Sequence, residues 1–303
     1  MTGGVLHNLS PLAWRDRIGR LRHWRHERVR WSEFTETVAK SGAEFAEAAN
    51  RHIAKYHGTA PRISHDGQSD TYVVHDDIEY RFTSPSRLKY FLNGIGPRGR
   101  MLFDEYLLGQ VPFEDGDTIV ESGGNDGDFS LALRETGRRL SLISFEPSPR
   151  EYRTLVRNLE RMPFLDSAEA HQLALWNRSG ETLPFYVKSA TADSSVLAID
   201  DASEVIEVET VRLDEVLPRR RYRLLKLEAE GAEPEILEGA TGILDCFEYV
   251  TADVGFERGL SQDSTLPQVA NLLIRHGFRA VHFGAPRHVM LFVNETLAEV
   301  PEG

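Results

Sequence analysis

Residues 118–130 read TIVESGGNDGDFS. Thr118, Ile119 and Val120 predict a short apolar strand, Glu121 opens a glycine-rich turn running through Ser122, Gly123, Gly124, Asn125 and Asp126 to Gly127, and a helix is expected from about Asp128 and Phe129. Strand, glycine turn and helix in that order make the first unit of a nucleotide-binding α/β sheet. Glycine suits such a turn because, without a Cβ, the backbone takes positive φ cheaply and lets a ligand come close. A ligand there is expected to meet free amide donors at a helix N-terminus.

The turn departs from the dinucleotide pattern G-x-G-x-x-G. With Gly124 and Gly127 aligned to its last two glycines, Ser122 stands where the first should be, which disfavours NAD. Glu121, at the strand end, is expected to face a cationic or hydroxyl-bearing group rather than a pyrophosphate, and the ammonium of S-adenosylmethionine (SAM) is such a group. A glycine turn kept for packing alone is the alternative. Downstream, residues 140–145 (LSLISF) predict a second strand that ends in Glu146 and Pro147. An acid there accepts hydrogen bonds from both hydroxyls of a ribose, in an NAD site as much as in a SAM site; a carboxylate serving only the following helix dipole is the alternative.

The runs VESGGNDGDFS, SFEPSPREYRTLVRNL, LALWNRSGE, VRLDEVL and LLKLEAEGAEPEILEGA follow one another in order. On these blocks the chain resembles the FkbM-type SAM-dependent methyltransferases over roughly residues 80–293, most specifically 118–253. The family usually reads D-V-G-A-N-x-G and K-I-D-V-E-G-A-E; here Glu121 and Glu228 replace aspartates, and Ser122 and Gly124 stand for valine and alanine. The resemblance implies an α/β fold: a class I SAM-methyltransferase (Rossmann-like) doubly wound sheet with a reversed C-terminal β-hairpin. It also implies a cofactor site made by Glu121, Ser122, Gly123, Gly124, Asn125, Gly127, Glu146 and Pro147, with Ala174, Leu175 and Trp176 beside the adenine. A serine-containing loop, ATADSSV (190–196), would bring Ser194 and Ser195 near the acceptor.

The composition suits a soluble globular protein of one large domain or one plus an extension, with 41% hydrophobic and 27% charged residues in 303. A formal net charge of -12 argues against nucleic acid as a partner. No apolar run is long enough for a bilayer span and no signal-peptide core opens the chain, so no membrane association and a cytoplasmic location are expected. The single cysteine, Cys246, reads as a core residue.

Upstream of the glycine turn, an arginine-rich amphipathic helix is predicted over 12–31 and a second helix over 33–57. They form an N-terminal helical extension, residues 1–60, outside the methyltransferase domain of 70–303, either pairing two copies of the chain or covering the acceptor pocket. Residues 58–67 read as a linker, residues 71–75 and 78–82 as a β-hairpin, and residues 101–108 as a helix. Tyr90 and Tyr106 either line the site or serve as core aromatics. Farther on, residues 171–175 predict the third strand, 182–187 and 205–211 further strands, 221–230 the fourth core strand, 232–244 a helix and 249–253 the fifth strand. A helix over 266–276 and strands over 279–283 and 288–294 complete the pattern.

Lys226, Glu228 and Glu230 share one face of the fourth strand, and Asp253 ends the fifth. Ligands in doubly wound sheets sit beyond the carboxyl ends of the strands. Glu230 first, then Glu228 and Asp253, are therefore the candidate general bases for an acceptor hydroxyl; crowding of like charges is expected to raise at least one pKa. Alternatively they hold a divalent cation, although no metal site is predicted. Lys226 would orient a carboxylate or the acceptor. The resemblance implies O-methylation of a sugar, glycan or polyketide-type hydroxyl with release of S-adenosylhomocysteine. An NAD-dependent oxidoreductase and a SAM-binding regulator or scaffold without turnover are the alternatives.

Overall fold

Strands that lie mid-sheet with both faces covered lose the polar alternation of a half-exposed strand. The central strands here do so. The computed structural model describes residues 29–58, 61–188, 194–200, 202–285 and 287–297. Strands β1 (Arg62–Asp66), β2 (Thr71–His75) and β3 (Glu79–Phe82) form an antiparallel sheet. The hairpin is as expected, but β1 occupies the stretch read as a linker: its mixed Pro, Ser, His and Gly composition hides an edge strand whose pairing to β2 supplies what propensity does not.

The main sheet contains β4 (Thr118–Ser122), β5 (Leu140–Phe145), β6 (Leu165–His171), β10 (Tyr222–Leu227), β11 (Phe247–Asp253), β12 (Phe278–Gly284) and β13 (Val289–Asn294). Its order is β12-β13-β11-β10-β4-β5-β6. β4, β5, β6, β10 and β11 run parallel, and β13 lies antiparallel to both β11 and β12. This doubly wound sheet with a reversed C-terminal hairpin is the class I SAM-methyltransferase architecture. β4 and β11 are buried throughout.

The third strand is displaced from its expected place. β6 begins at Leu165, with exposed residues through most of its length, and the chain leaves the sheet after His171. Its polar sequence, LDSAEAH, gives no apolar signal because it is the outer edge. Ala174–Leu175 instead forms β7, which pairs with β9 (Glu204–Val211) in a small sheet completed by β8 (Thr182–Val187).

The helices are α1 (Gly42–Tyr56), α2 (Ile95–Glu105), α3 (Phe129–Arg134), α4 (Pro149–Leu159), α5 (Glu233–Glu238) and α6 (Leu266–Arg275), with further short turns between. The predicted helix over 33–57 is interrupted: residues 29–38 are helical, the chain breaks at 39–41, and α1 starts at Gly42, whose φ is +54°. The arginine-rich helix expected over 12–31 lies outside the described residues except for its last three. Phe34, Phe45, Ala49 and Ile53 enter the same buried cluster as Phe82, Phe129, Ile119 and Leu142, on one face of the main sheet. The predicted helix over 232–244 is cut to α5, and just past its end Gly239 packs directly under the Trp176 carbonyl, where a Cβ would overlap it.

Helix α2 carries the segment before the glycine turn onto α3. The contact is made at Gly99, where a Cβ would stand 2.6 Å from the Leu131 carbonyl oxygen. Gly99→Val should therefore destabilise the fold by about 1–3 kcal/mol, read as a lower urea midpoint with an unchanged slope.

Candidate active site

The carboxyl ends of β4, β5 and β10 open into a cavity of about 310 Å³. The glycine turn forms its floor. Gly123 has φ +78° and packs so closely on the Glu228 carbonyl that a Cβ there would overlap it. Asn125 (φ +46°) and Glu230 (φ +50°) also take left-handed backbone, a rare state for residues with a Cβ, which shapes both rims of the cavity. The amides of the turn itself are used within the protein. Gly123 and Gly124 both donate to the Phe145 carbonyl, Gly127 to that of Gly124, Asn125 to Glu146 and Asp126 to the Asn125 side chain.

Glu146 stands in the cavity wall at the end of β5. Its Oε2 accepts from Asn125 N–H at 2.7 Å and its Oε1 from Ser148 N–H at 2.8 Å. Burial pushes its pKa up to about 8, the two backbone donors opposing this and the Glu151 charge adding to it. Of the other predicted cofactor residues, Ser122, Gly123, Asn125, Pro147, Ala174 and Leu175 line the cavity. Gly124 and Gly127 lie beneath it against Leu155. Trp176 is not among the described lining residues; it packs on the apolar cluster on the other face of the sheet. Leu173, Phe185, Val187 and Val196 extend the apolar wall begun by Ala174 and Leu175.

Glu121 does not face the cavity. It is 1% exposed, and its carboxylate meets the Lys226 ammonium at 3.1 Å and the Ser144 hydroxyl at 2.7 Å. The cation expected opposite this acid is therefore the protein's own. Lys226, equally buried, also lies 2.9 Å from Glu228 Oε2 and donates to the carbonyls of Ser122 and Gly123. Burial raises the pKa of Glu121 and lowers that of Lys226, while the pairing pulls each back. Lys226 thus orients carboxylates, and its burial removes it from contact with an acceptor.

Glu228 lies in the wall under heavy compensation, with Lys226, the Arg287 guanidinium and the Tyr106 hydroxyl all on its carboxylate. Arg287 Nε also reaches Asp253 Oδ2 at 3.1 Å and its Nη1 reaches Glu105 Oε2 at 3.2 Å. Asp253 is 3% exposed and outside the described lining. Its pKa is pushed up to about 6, mainly by burial rather than by the crowding of acids expected from the sequence. Where a divalent cation was the alternative, Arg287 bridges Glu228 and Asp253. Among the described residues no group of His, Cys, Asp and Glu is arranged to hold a metal ion. Glu230 is part of the wall, and its carbonyl accepts from the Ser195 hydroxyl at 2.9 Å. Ser194 lines the cavity, whereas Ser195 is buried behind it.

Sequence reasoning missed Arg87, Arg98, Glu257 and Arg287, all of which line the cavity. They come from the segment before β4, from the loop after β11 and from the turn of the C-terminal hairpin. No spacing pattern marks them, since they meet only through the fold. Tyr90 and Tyr106 line the cavity too, and Tyr106 is at once a site residue and a core aromatic at 1% exposure. Replacing Lys226 with methionine would leave Glu121 buried without its cation. Lys226→Met should cost about 3–5 kcal/mol near neutral pH, and adding Glu121→Gln should recover part of the loss in urea unfolding.

Among the described residues no helix is long and apolar enough to cross a membrane. Compared with known proteins, the chain is 28% identical over 160 residues to "Methyltransferase 1" of Beauveria bassiana (strain ARSEF 2860), covering 46% of this chain and 64% of that protein. It is 29% identical over 154 residues to methyltransferase sdnD of Sordaria araneosa, covering 40% and 59%. It therefore spans less than two thirds of the length of either curated relative. Among solved structures, magnesium protoporphyrin IX methyltransferase (ChlM) from Synechocystis PCC 6803 with bound SAM matches at 10% identity and a TM-score of 0.41, over 69% of this chain and 83% of that one. A putative RNA methyltransferase, PH1948 from Pyrococcus horikoshii, matches at 13% identity and 0.38, over 69% and 85%. The sequence model of the methyltransferase FkbM domain matches residues 121–280, more than half of the chain. That span begins at Glu121, ends within β12 and takes in the ends of β4, β5 and β10 that build the cavity, so the chain belongs to the FkbM methyltransferase domain family.

Proposed function

We propose that this chain is a SAM-dependent O-methyltransferase acting on a hydroxyl of a sugar, glycan or polyketide-type natural product. The observation that carries the reading is Glu146, a carboxylate at the end of the second parallel strand, in the wall of the cavity. Each of its oxygens takes one backbone N–H and keeps a lone pair for one of two neighbouring hydroxyls. The apolar wall of Leu173, Ala174, Leu175 and Phe185 suits an adenine base. Bound there, SAM would supply an electrophilic methyl group and with it the driving force.

The chain's own task is to orient an acceptor and take a proton. We assign the general base to Glu230. Its place in the cavity wall, just beyond the carboxyl end of β10, supports the assignment; Glu228, in the same wall, and Asp253, outside it, both hold Arg287. Both then act by fixing Arg287, which brings the positive charge a divalent cation would otherwise supply. Ser194 is assigned to the acceptor side. Residues 1–60 are read as an extension that pairs two copies or covers the pocket, and the cytoplasm as the compartment. An NAD-dependent oxidoreductase is disfavoured by the reversed β13 and by a glycine turn whose amides, from Gly123 to Gly127, are used within the protein.

Titration calorimetry should give binding heat with S-adenosylhomocysteine, and Glu146→Ala should weaken it at least about tenfold, some 1.4 kcal/mol. Burial keeps the Glu146 carboxyl mostly protonated below about pH 8, and only the ionised form accepts from both hydroxyls. Affinity should therefore rise as pH increases through that value, and Glu146→Gln should flatten the dependence. No heat in the wild type would end the SAM reading. Glu230→Gln should lower kcat by about 10²–10⁴ with S-adenosylhomocysteine affinity intact, followed by mass spectrometry of products from a panel of glycans and macrolides. A fall of less than tenfold would move the base elsewhere.

A further inference from the structure

Two arginines from the segment before β4 enter the cavity wall beside the start of α3. Arg98 grips Asp128 with one edge of its guanidinium, Nε at 3.0 Å and Nη2 at 2.5 Å from Oδ2. Arg87 reaches the same oxygen with Nη2 at 2.8 Å and Asp126 with Nε at 3.0 Å. The Arg98 guanidinium carbon lies 4.1 Å from the centre of the Tyr90 ring, which holds its plane. Arg87, Arg98, Tyr90 and Asp128 all line the cavity.

This cluster is unbalanced in two ways. Arg98 Nη1 is buried in a side chain only 6% exposed and has no hydrogen-bond partner. A guanidinium donor left without an acceptor in a buried site carries the full cost of its desolvation. The charges do not cancel either. Two arginines face Asp128, which they hold well below the usual carboxylate range, and Asp126, which burial pushes up to about 7 and so leaves only part-ionised near neutral pH. A planar donor without an acceptor, on a side chain that lines a cavity, is matched by a carboxylate oxygen.

We propose that the unpartnered edge of Arg98, backed by Arg87, is a carboxylate-binding subsite of this cavity. The proposal rests on the methyltransferase reading and extends it to residues outside the glycine turn and β5. The carboxylate comes either from the amino-acid end of the cofactor or from an acidic acceptor, and one set of titrations separates the two. The full chain is titrated with S-adenosylhomocysteine and with its decarboxylated analogue, S-(5′-adenosyl)-3-thiopropylamine. The chain saturated with S-adenosylhomocysteine is then titrated with 3-phenylpropionate and with 3-phenylpropanol.

If the cofactor supplies the group, the wild type binds S-adenosylhomocysteine at least tenfold more tightly than the analogue. Arg98→Met then abolishes that difference while keeping the analogue's affinity within about twofold, which also shows that the pocket is folded. Arg98→Lys, which keeps the charge, restores part of the difference. If the acceptor supplies it, the phenylpropionate binds the loaded protein, the alcohol does not, and Arg98→Met removes the preference. Equal loss of both nucleosides in both Arg98 variants, or no carboxylate preference in either pair, overturns the subsite. Absence of binding by either nucleoside to the wild type overturns the cofactor reading itself and is seen before any variant is made.

Discussion

The ammonium of Lys226 is the tie on which the carboxyl edge of this sheet depends. It stands at the end of β10, touches Glu121 at the end of the neighbouring β4, reaches Glu228 one step beyond its own strand, and donates to the carbonyls of Ser122 and Gly123. A buried amine with this many acceptors is stable only if all of them stay in place. It therefore locks the left-handed turn at Gly123 against the end of β10. The cavity floor is a consequence of that closure, because the Gly123 backbone and the Glu228 carbonyl are pressed together.

From this tie the rest of the wall follows in two directions. Toward β5, the glycine turn hands its Asn125 amide to Glu146 and so sets the height of that carboxylate. Toward β11, Glu228 passes charge to Arg287, and Arg287 to Asp253 and Glu105. α2 is thereby joined to the C-terminal hairpin across the mouth of the site. The resulting edge is crowded with ionisable groups, yet most are paired within the protein. Glu146 is an exception in kind: its partners are backbone amides, so no cation holds it ionised and burial decides its titration.

Much of the architecture was legible in the sequence because apolar strands buried on both faces announce themselves, as TIV at 118–120 and LLKL at 224–227 do. The glycine turn, the acid at 146, the hairpin at the C-terminus and the resemblance carried by the ordered blocks all pointed to one fold. Reading failed where the local signal was weak for a physical reason. β6 is a polar edge strand, and β1 is held by its partner rather than by its composition. The break at 39–41 interrupts a pattern that is continuous in hydrophobicity.

The sequence by itself determined most of the parallel strands, the place of the glycine turn and the positions of the carboxylates at strand ends, because each of these is set by residues close together in the chain. Only the tertiary structure decided what those carboxylates face. Glu121 meets Lys226, 105 residues away, and Glu228 meets Tyr106, 122 residues away. Arg98 and Arg287 join the site from segments that carry no recognisable pattern. Electrostatics acts through space, and the partners that set a buried charge are chosen by the packing of distant elements.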